Sequence, residues 1–293
     1  MITYHKLLNE GRDRLEKSGA GEQSALLYMN ELCAKRDINL YMVMEEPVDE
    51  NLQTDYLEGI HRMEKGEPLD YVLGYTPFYG YDIGVDSRVL IPRPETEELV
   101  ALVLRLYDEL FSPEKVTVFD VGTGSGAIAL ALALEEPNFT VYGSDISEDA
   151  VARASENKES LEAPVTFFSG DMLAPFIERG LRCQILVCNP PYIPDAETIE
   201  SCVRDYEPNV ALFGGPDGLK YYRQLFEGAG KVLVPGGFIA MEMGWNQAEA
   251  MTELARNHFP DAAFEVHQDI NGKDRMFVIR TEGRNNDASE KRN

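Results

Sequence analysis

The chain has 293 residues, enough for one large domain or two unequal domains with an extensive hydrophobic core. Its 27 basic and 51 acidic residues give a formal net charge of −24, which disfavours a large nucleic-acid-binding surface because phosphate backbones require basic patches. The four cysteines lack metal-site spacing, and neither a signal-peptide core nor a membrane-spanning run occurs. We therefore expect a cytoplasmic protein without a metal site.

The first 75 residues show a helical pattern. Apolar side chains such as Leu7, Leu8 and Leu15 recur at helical spacings between charged residues, and later segments repeat this pattern. No group of residues typical of a catalytic site occurs in this region. We therefore predict that residues 1–75 form a small helical domain for substrate recognition.

Residues 76–95 are predicted to be a linker made of a β-hairpin and an extended segment. The alternation over residues 81–85, among glycines and aromatic residues, is typical of a hairpin. The strap, defined as Leu90-Ile-Pro-Arg-Pro-Glu-Thr-Glu97, should be extended over residues 90–95, since each proline restricts the residue before it. Thr96 is then predicted as the N-cap of a helix with an apolar face over residues 99–110.

From residue 116 onward, candidate strands and helices alternate, which indicates a doubly wound α/β sheet. The last two strands have no helix between them and should pair antiparallel. We predict an α/β domain over residues 96–282 and a disordered tail over residues 283–293, where the sequence is polar. The strand candidates are 116–121, 140–145, 165–169, 184–189, 237–243, 262–267 and 275–280, and the helix candidates are 125–135, 147–159, 219–233 and 246–258.

A glycine-rich loop follows the first of these strands. Gly122, Gly124 and Ala127 satisfy the pattern G-x-G-x-x-[GA], in which glycines let a ligand approach the backbone at a helix N-terminus. Asp145, at the end of the next strand, is suited to bind ribose hydroxyls. Nicotinamide cofactors and S-adenosylmethionine both present such a ribose, so the loop alone does not distinguish between them.

A second motif ends the fourth strand, in Ile185-Leu-Val-Cys-Asn-Pro-Pro-Tyr192. The prolines favour a stiff, extended backbone over residues 189–192, which we call the shelf. It presents an amide oxygen and backbone carbonyls that can hold a flat NH2 group by its hydrogens while its nitrogen is attacked. We expect the shelf beside the glycine loop, where the strand order reverses and ligands bind.

Together these motifs resemble the Rossmann-like class I S-adenosylmethionine-dependent methyltransferases. Residues 120–126 (Asp-Val-Gly-Thr-Gly-Ser-Gly) resemble their first motif, Asp145 resembles their ribose carboxylate, and the shelf resembles the signature of methylation at amino and amide nitrogens. The resemblance implies a seven-stranded, mostly parallel, doubly wound sheet beside a small N-terminal helical domain.

Further segments narrow the resemblance to the HemK/PrmC family. They are the strap, Tyr71-Val-Leu-Gly74, Phe78-Tyr-Gly80, Glu207-Pro208 and Gly215-Pro-Asp-Gly218. That family methylates N5 of the glutamine in the Gly-Gly-Gln motif of peptide chain release factors. The resemblance implies S-adenosyl-L-methionine as cofactor, S-adenosyl-L-homocysteine as product and release factors as protein partners. It implies no direct nucleic-acid contact and no membrane, and we expect a monomer.

Three sets of site residues follow. Asn189 and Pro190 should accept the two N–H groups of the substrate amide while the Tyr192 ring packs on its plane, so the catalytic set is Asn189, Pro190 and Tyr192. The predicted cofactor-binding residues are Gly122, Thr123, Gly124, Ser125, Gly126, Asp145, Asp171, Met172 and Asn189. The predicted substrate-binding residues are Asn189, Pro190, Pro191, Tyr192, Phe78, Arg93 and Glu95. Glu242 is left outside the catalytic set.

Three alternatives remain at this point. A nucleic-acid methyltransferase acting on adenine N6 or guanine N2 would use the same shelf on a flipped base, although the acidic composition argues against it. A nicotinamide-dependent oxidoreductase would share the glycine loop but would need a proton donor on a recognisable motif, which the sequence lacks. A non-catalytic scaffold is disfavoured because the glycine loop, Asp145 and the shelf are all intact.

Overall fold

The computed structural model describes residues 2–199 and 201–283, which fall into two compact units. The first unit contains the segment up to Thr76, Val85–Ser87 and the short helix α9 (Ser201–Tyr206). The second contains Pro77–Gly84 and most of the remaining chain. The predicted disordered tail lies outside the described residues, apart from Gly283.

The first unit is a small helical bundle. Its helices are α1 (Tyr4–Ser18), α2 (Gln23–Ala34), α3 (Glu50–Glu64) and α4 (Leu69–Leu73), with a 3-10 turn over Leu40–Met42. The Thr3 and Asp49 side chains cap α1 and α3. The apolar faces meet in a core in which Leu7, Met29 and Tyr56 are fully buried, as the helical spacing predicts.

The linker contains the predicted hairpin, because β1 (Tyr75–Phe78) and β2 (Tyr81–Gly84) form a two-stranded sheet. The extended segment is shorter than predicted. Helix α5 (Pro94–Leu110) begins inside the strap, and Arg93 is its extended N-cap residue. The predictions that Glu95 is extended and that Thr96 is the N-cap are therefore wrong. Proline suits the first helical turn, where its fixed φ is helical and its missing N–H has no intrahelical partner to lose.

The second unit is built on a seven-stranded sheet in the order β5-β4-β3-β6-β7-β9-β8. Its strands are β3 (Val116–Val121), β4 (Phe139–Asp145), β5 (Val165–Ser169), β6 (Cys183–Cys188), β7 (Leu233–Glu242), β8 (Ala263–Gln268) and β9 (Asp274–Arg280). Neighbours from β5 to β7 are parallel, whereas β9 pairs antiparallel with β7 and β8. The predicted mostly parallel, doubly wound fold with an antiparallel last pair is confirmed.

The other helices of this unit are α6 (Ala127–Glu135), α7 (Glu148–Leu161), α8 (Ala174–Glu178), α10 (Lys220–Ala229) and α11 (Ala248–His258). The sequence of α6 is almost entirely apolar, and most of its residues are buried. The short helices α8 and α9 were not predicted. Among the described residues, no helix combines the length and apolar character needed to cross a membrane.

The strand order reverses between β3 and β6. These two strands pair in parallel, and the last residue of β3, Val121, lies opposite the last residue of β6, Cys188. The glycine loop and the shelf, which follow these residues directly, therefore leave the sheet side by side. The sheet places the two motifs at the position where open α/β folds bind ligands.

Candidate active site

An open cavity lies at the carboxyl ends of the central strands, with a volume of about 1100 Å³ that includes the space open to solvent at its mouth. Its wall combines the glycine loop, the end of β4, the segment after β5, the shelf and part of the strap. The predicted residues that line it are Gly122, Thr123, Gly124, Ser125, Asp145, Asp171, Met172, Asn189, Pro190, Pro191 and Arg93. All of these belong to the second unit.

The glycine loop turns sharply from β3 toward α6. Gly122 and Gly124 have φ values of 73° and 55°, in the left-handed region that side chains with a Cβ rarely adopt. A Cβ added at either position would have no atom within 4 Å. Glycine is therefore required by the backbone conformation at this turn, and the open space beside it belongs to the cavity.

Asp145 ties this loop to the next strand. One of its carboxylate oxygens accepts a hydrogen bond from the Gly124 N–H at 2.9 Å, and the other accepts one from the Ser147 N–H at 2.9 Å. Burial raises the pKa of Asp145, and these backbone donors oppose that shift. A carboxylate has about four lone-pair positions. Acceptor positions therefore remain for hydroxyl groups of a ligand in the cavity.

Asp120 lies beneath the loop and is fully buried. It accepts a hydrogen bond from the Thr123 hydroxyl at 2.6 Å. Burial raises the pKa of Asp120 to about 7, with a smaller contribution from the negative charge of Asp145. Asp120 thus holds the loop from below and does not line the cavity.

The shelf is held by a hydrogen-bonded chain of side chains. Asn189 donates from Nδ2 to the Thr96 hydroxyl oxygen at 3.1 Å, and that hydroxyl donates to Glu242 Oε2 at 2.6 Å. The other oxygen of Glu242 accepts a hydrogen bond from the Tyr192 hydroxyl at 3.1 Å. Glu242 is buried, which raises its pKa, and the donors Thr96 and Tyr192 oppose the shift. One buried carboxylate is thereby connected to both ends of the shelf.

The backbone of the shelf is supported by the segment Gly214-Gly-Pro-Asp-Gly218. A Cβ on Gly214 would lie 2.5 Å from the Pro191 carbonyl oxygen, and a Cβ on Gly218 would lie 2.3 Å from the Tyr192 carbonyl oxygen. The Gln247 amide also donates to the Tyr192 carbonyl at 3.0 Å. These close approaches explain why glycines occur in this segment.

Four predicted site residues are placed elsewhere. Gly126 is the N-cap residue of α6 and does not line the cavity. The Tyr192 side chain points away from the cavity and donates its hydroxyl to Glu242. Phe78 is a buried core residue, and Glu95 lines a separate surface groove beside Asp269 and Ile270. Within the described part of the chain, no group of three or more histidines, cysteines or carboxylates is arranged to hold a metal ion.

Sequence reasoning missed two residues of this site. The sequence predicts Thr96 as a helix cap, and Glu242 lies outside the predicted catalytic set. A signal for Glu242 existed, because it is a carboxylate in the otherwise apolar run Phe238-Ile-Ala-Met-Glu-Met243 at the end of a central strand. Such a buried charge requires partners. The identity of the partner Thr96, which lies 146 residues away, had no local signal.

Two family models match this chain. The PrmC N-terminal domain matches residues 6–74, and the Methyltransferase small domain matches residues 101–205. The second match covers the glycine loop and the shelf, and it disfavours the oxidoreductase alternative.

Solved structures share the fold at low sequence identity. The 16S rRNA N2 G1207 methyltransferase of T. thermophilus, in complex with AdoMet and guanosine, has a TM-score of 0.50 at 18% identity, covering 71% of this chain and 50% of that one. A methyltransferase from Pyrococcus furiosus has a TM-score of 0.51 at 18% identity, covering 80% and 100%. The predicted class I methyltransferase fold is confirmed.

More similar relatives match over nearly the whole chain. The release factor glutamine methyltransferase of Bacillus anthracis is 41% identical over 270 residues, covering 92% of this chain and 95% of the relative. Those of Bacillus subtilis (strain 168) and Moorella thermoacetica are each 40% identical, covering 94% of this chain and 97% and 98% of the relatives. The resemblance found in the motifs is confirmed, and the chain belongs to the family of release factor glutamine methyltransferases.

Proposed function

We propose that this protein transfers a methyl group from S-adenosylmethionine to the side-chain amide nitrogen, N5, of the glutamine in the Gly-Gly-Gln motif of peptide chain release factors. The observation that carries the proposal is a single cavity whose wall contains both the glycine loop and the shelf. Membership of a family whose members carry this activity in their names supports the substrate class. It favours a protein amide over the exocyclic amine of a nucleic acid.

The glycine-loop side of the cavity fits S-adenosylmethionine. When bound, this cofactor supplies an electrophilic methyl group on a positively charged sulfur. Asp145 has free acceptor positions for the two ribose hydroxyls, and the open backbone at Gly122 and Gly124 allows close approach of the cofactor. Asp171 and Met172 border the cavity and are suited to contact the adenine.

The shelf supplies alignment. An amide nitrogen is a poor nucleophile because its lone pair is delocalised into the carbonyl, so catalysis depends on positioning and electrostatic stabilisation. In our proposal, Asn189 Oδ1 and the Pro190 carbonyl each accept one N–H of the substrate amide. Both oxygens carry partial negative charge and stabilise the positive charge that develops on the nitrogen. The side chain of Asn189 is neutral, and the proton is lost to water after transfer.

The remaining predicted substrate residues divide into three groups. Pro191 and Arg93 line the cavity and are proposed to shape the glutamine pocket. Tyr192 is proposed to stiffen the shelf through Glu242. Phe78 and Glu95 lie away from the cavity wall, and we assign them no contact with substrate.

We propose that the chain is divided into the three functional regions that the sequence predicts. Residues 1–75 would recognise the protein substrate, residues 76–95 would link the domains, and residues 96–282 would carry out methyl transfer. The match of the PrmC N-terminal domain to residues 6–74 supports a separate role for the helical bundle. The net charge of −24 supports action as a cytoplasmic monomer on protein and without direct contact to nucleic acid.

Mass spectrometry of a purified release factor tests the proposal. After incubation with the enzyme and S-adenosylmethionine, we expect one added methyl group on the Gly-Gly-Gln glutamine. A release factor with that glutamine replaced by alanine is the matched control and should remain unmodified. Parallel reactions with DNA and RNA should show no transfer. An unmodified glutamine, under conditions in which the cofactor binds, contradicts the proposal.

A further inference from the structure

The orientation of the Asn189 side chain decides whether the shelf can hold an amide. A side-chain amide has an oxygen that accepts hydrogen bonds and an NH2 group that donates them, and the two ends have nearly the same shape. If the NH2 group faced the substrate, two donors would meet and the substrate nitrogen would be misaligned. The fold must therefore fix which end of Asn189 faces the cavity.

The hydrogen-bonded chain behind the shelf fixes this orientation. An ionised carboxylate can only accept hydrogen bonds, so the Thr96 hydroxyl must donate its single hydrogen to Glu242. The hydroxyl then has only lone pairs for Asn189, which must turn its NH2 group toward Thr96. The Asn189 oxygen is left facing away from Thr96, as acceptance of a substrate N–H requires.

The same carboxylate also holds the far end of the shelf. Its second oxygen accepts the Tyr192 hydroxyl, and the Glu242 main-chain oxygen accepts the Tyr222 hydroxyl at 2.8 Å. Glu242 is only 2% exposed, and a buried charge that loses a partner is strongly penalised. The arrangement is therefore held more firmly than a hydrogen bond at the surface would be.

We propose that Glu242 and Thr96 are positioning residues for methyl transfer, in which the buried carboxylate acts through the Thr96 hydroxyl to hold Asn189 with its oxygen toward the substrate. The proposal rests on the proposed function, in which Asn189 holds the glutamine amide. It assigns a role to a pair of side chains on α5 and β7, of which Thr96 lines the cavity and Glu242 lies behind its wall.

This arrangement makes the orientation dependent on the protonation of Glu242. A protonated Glu242 could donate to Thr96, which could then donate to the Asn189 oxygen and allow the amide to flip. The charged and titratable groups facing Glu242 are Glu95 on α5, Tyr192, Tyr222 on α10 and Arg275 on β9. Burial and the charge of Glu95 favour protonation, whereas Arg275 opposes it. Turnover should therefore fall on the acidic side of the pH profile.

Substitution of Thr96 tests the orienting bond. Thr96→Val keeps the side-chain shape and removes the hydroxyl, so kcat should fall about 10- to 100-fold, as it does when an outer partner that orients a metal-binding side chain is removed. The dissociation constant for S-adenosylmethionine should not change. Thr96→Ser keeps the hydroxyl and should restore kcat. Thr252→Val on α11, whose hydroxyl donates to the Ala248 carbonyl at 2.7 Å, is the matched control.

Substitution of Glu242 tests the dependence on protonation. Glu242→Gln keeps the shape but cannot ionise, and its amide can either accept from or donate to Thr96. Its kcat should be lower than that of the wild type, and the acidic fall in kcat should be lost. The variant also provides a second test if Thr96→Val is poorly folded.

The outcomes separate this inference from the proposed function. If the wild type leaves the glutamine unmodified, the proposed function fails. If the wild type methylates it and Asn189→Ala does not, the function stands. The inference is then overturned by a Thr96→Val variant with wild-type kcat, by a Thr96→Ser variant as slow as Thr96→Val, or by an unchanged acidic fall in Glu242→Gln.

Discussion

The two sides of the cavity are built in different ways. The cofactor side consists mainly of backbone, and its contacts join segments that are close in the sequence, such as Gly124 and Asp145, which are 21 residues apart. The substrate side depends on side chains that come from distant segments, since Asn189 and Thr96 are 93 residues apart. A common cofactor can thus be bound by a local motif, whereas the alignment of a particular substrate requires the whole sheet to be assembled.

The largest expected effect is on the substrate side. Asn189→Ala removes one acceptor for the substrate amide, and kcat should fall at least about 100-fold, as is typical when one preorganised polar group is removed from an active site. The affinity for S-adenosylmethionine should change far less. Single-turnover methylation of a release factor, together with a cofactor-binding titration, would measure both. Retained turnover would contradict the proposed role of Asn189 in holding the substrate amide.

The next effect tests the backbone support of the shelf. Gly218 has a φ of 74°, and a Cβ there would lie 2.3 Å from the Tyr192 carbonyl oxygen. Gly218→Ala should lower the free energy of unfolding by about 2–4 kcal/mol, from left-handed backbone strain and overpacking. Chemical denaturation would measure this. Gly230→Ala, at a position with a φ of −60° and no atom within 4 Å, is the control and should be neutral or slightly stabilising.

A smaller effect is expected on the cofactor side. Asp145→Asn keeps the side-chain size but removes the negative charge and one acceptor oxygen. The affinity for S-adenosylmethionine should fall about 10- to 100-fold, since a hydrogen bond to a charged group contributes about 1.5–3 kcal/mol. Calorimetric titration would measure this change. A kcat at saturating cofactor close to that of the wild type would support the separation of the two sides, and an equally large loss of kcat would contradict it.

The smallest effect concerns Asp120 beneath the loop. Its pKa of about 7 in the folded protein lies above the ordinary value of 3.8, so the folded state keeps the proton to higher pH and loses stability as that proton dissociates. Between about pH 6 and pH 8 this change corresponds to about 1.4 kcal/mol, one pKa unit. Asp120→Asn should remove this decrease. Urea denaturation at the two pH values would detect it, and an equal decrease in both proteins would exclude Asp120 as its source.

The contrast between local contacts on the cofactor side and long-range contacts on the substrate side explains which features could be predicted from the sequence. The alternation of strands and helices, the glycine loop and the shelf at the end of its strand follow from periodicity and short motifs, because these depend on neighbouring residues. The start of α5 was misplaced because Pro94 can begin a helix as readily as it can end an extended segment. The hydrogen bond from Thr96 to Glu242 has no local signal, because an N-cap position gives a threonine hydroxyl a different partner. The sequence predicts the Tyr192 ring in the cavity, whereas its hydroxyl donates to Glu242 instead. That hydrogen bond depends on tertiary packing and has no local signal.

The position of Pro94 at the start of α5 determines the direction in which the Thr96 side chain points. Successive residues of a helix are rotated by about 100°, so the residue at which the helix begins determines the direction in which each later side chain points. Thr96 lies two residues after Pro94 and meets both Asn189 and Glu242. One residue inserted between Pro94 and Thr96 would turn the hydroxyl away from both. The number of residues from Pro94 to Thr96 therefore determines whether the Thr96 hydroxyl can orient the Asn189 amide. This segment should tolerate substitution better than insertion or deletion.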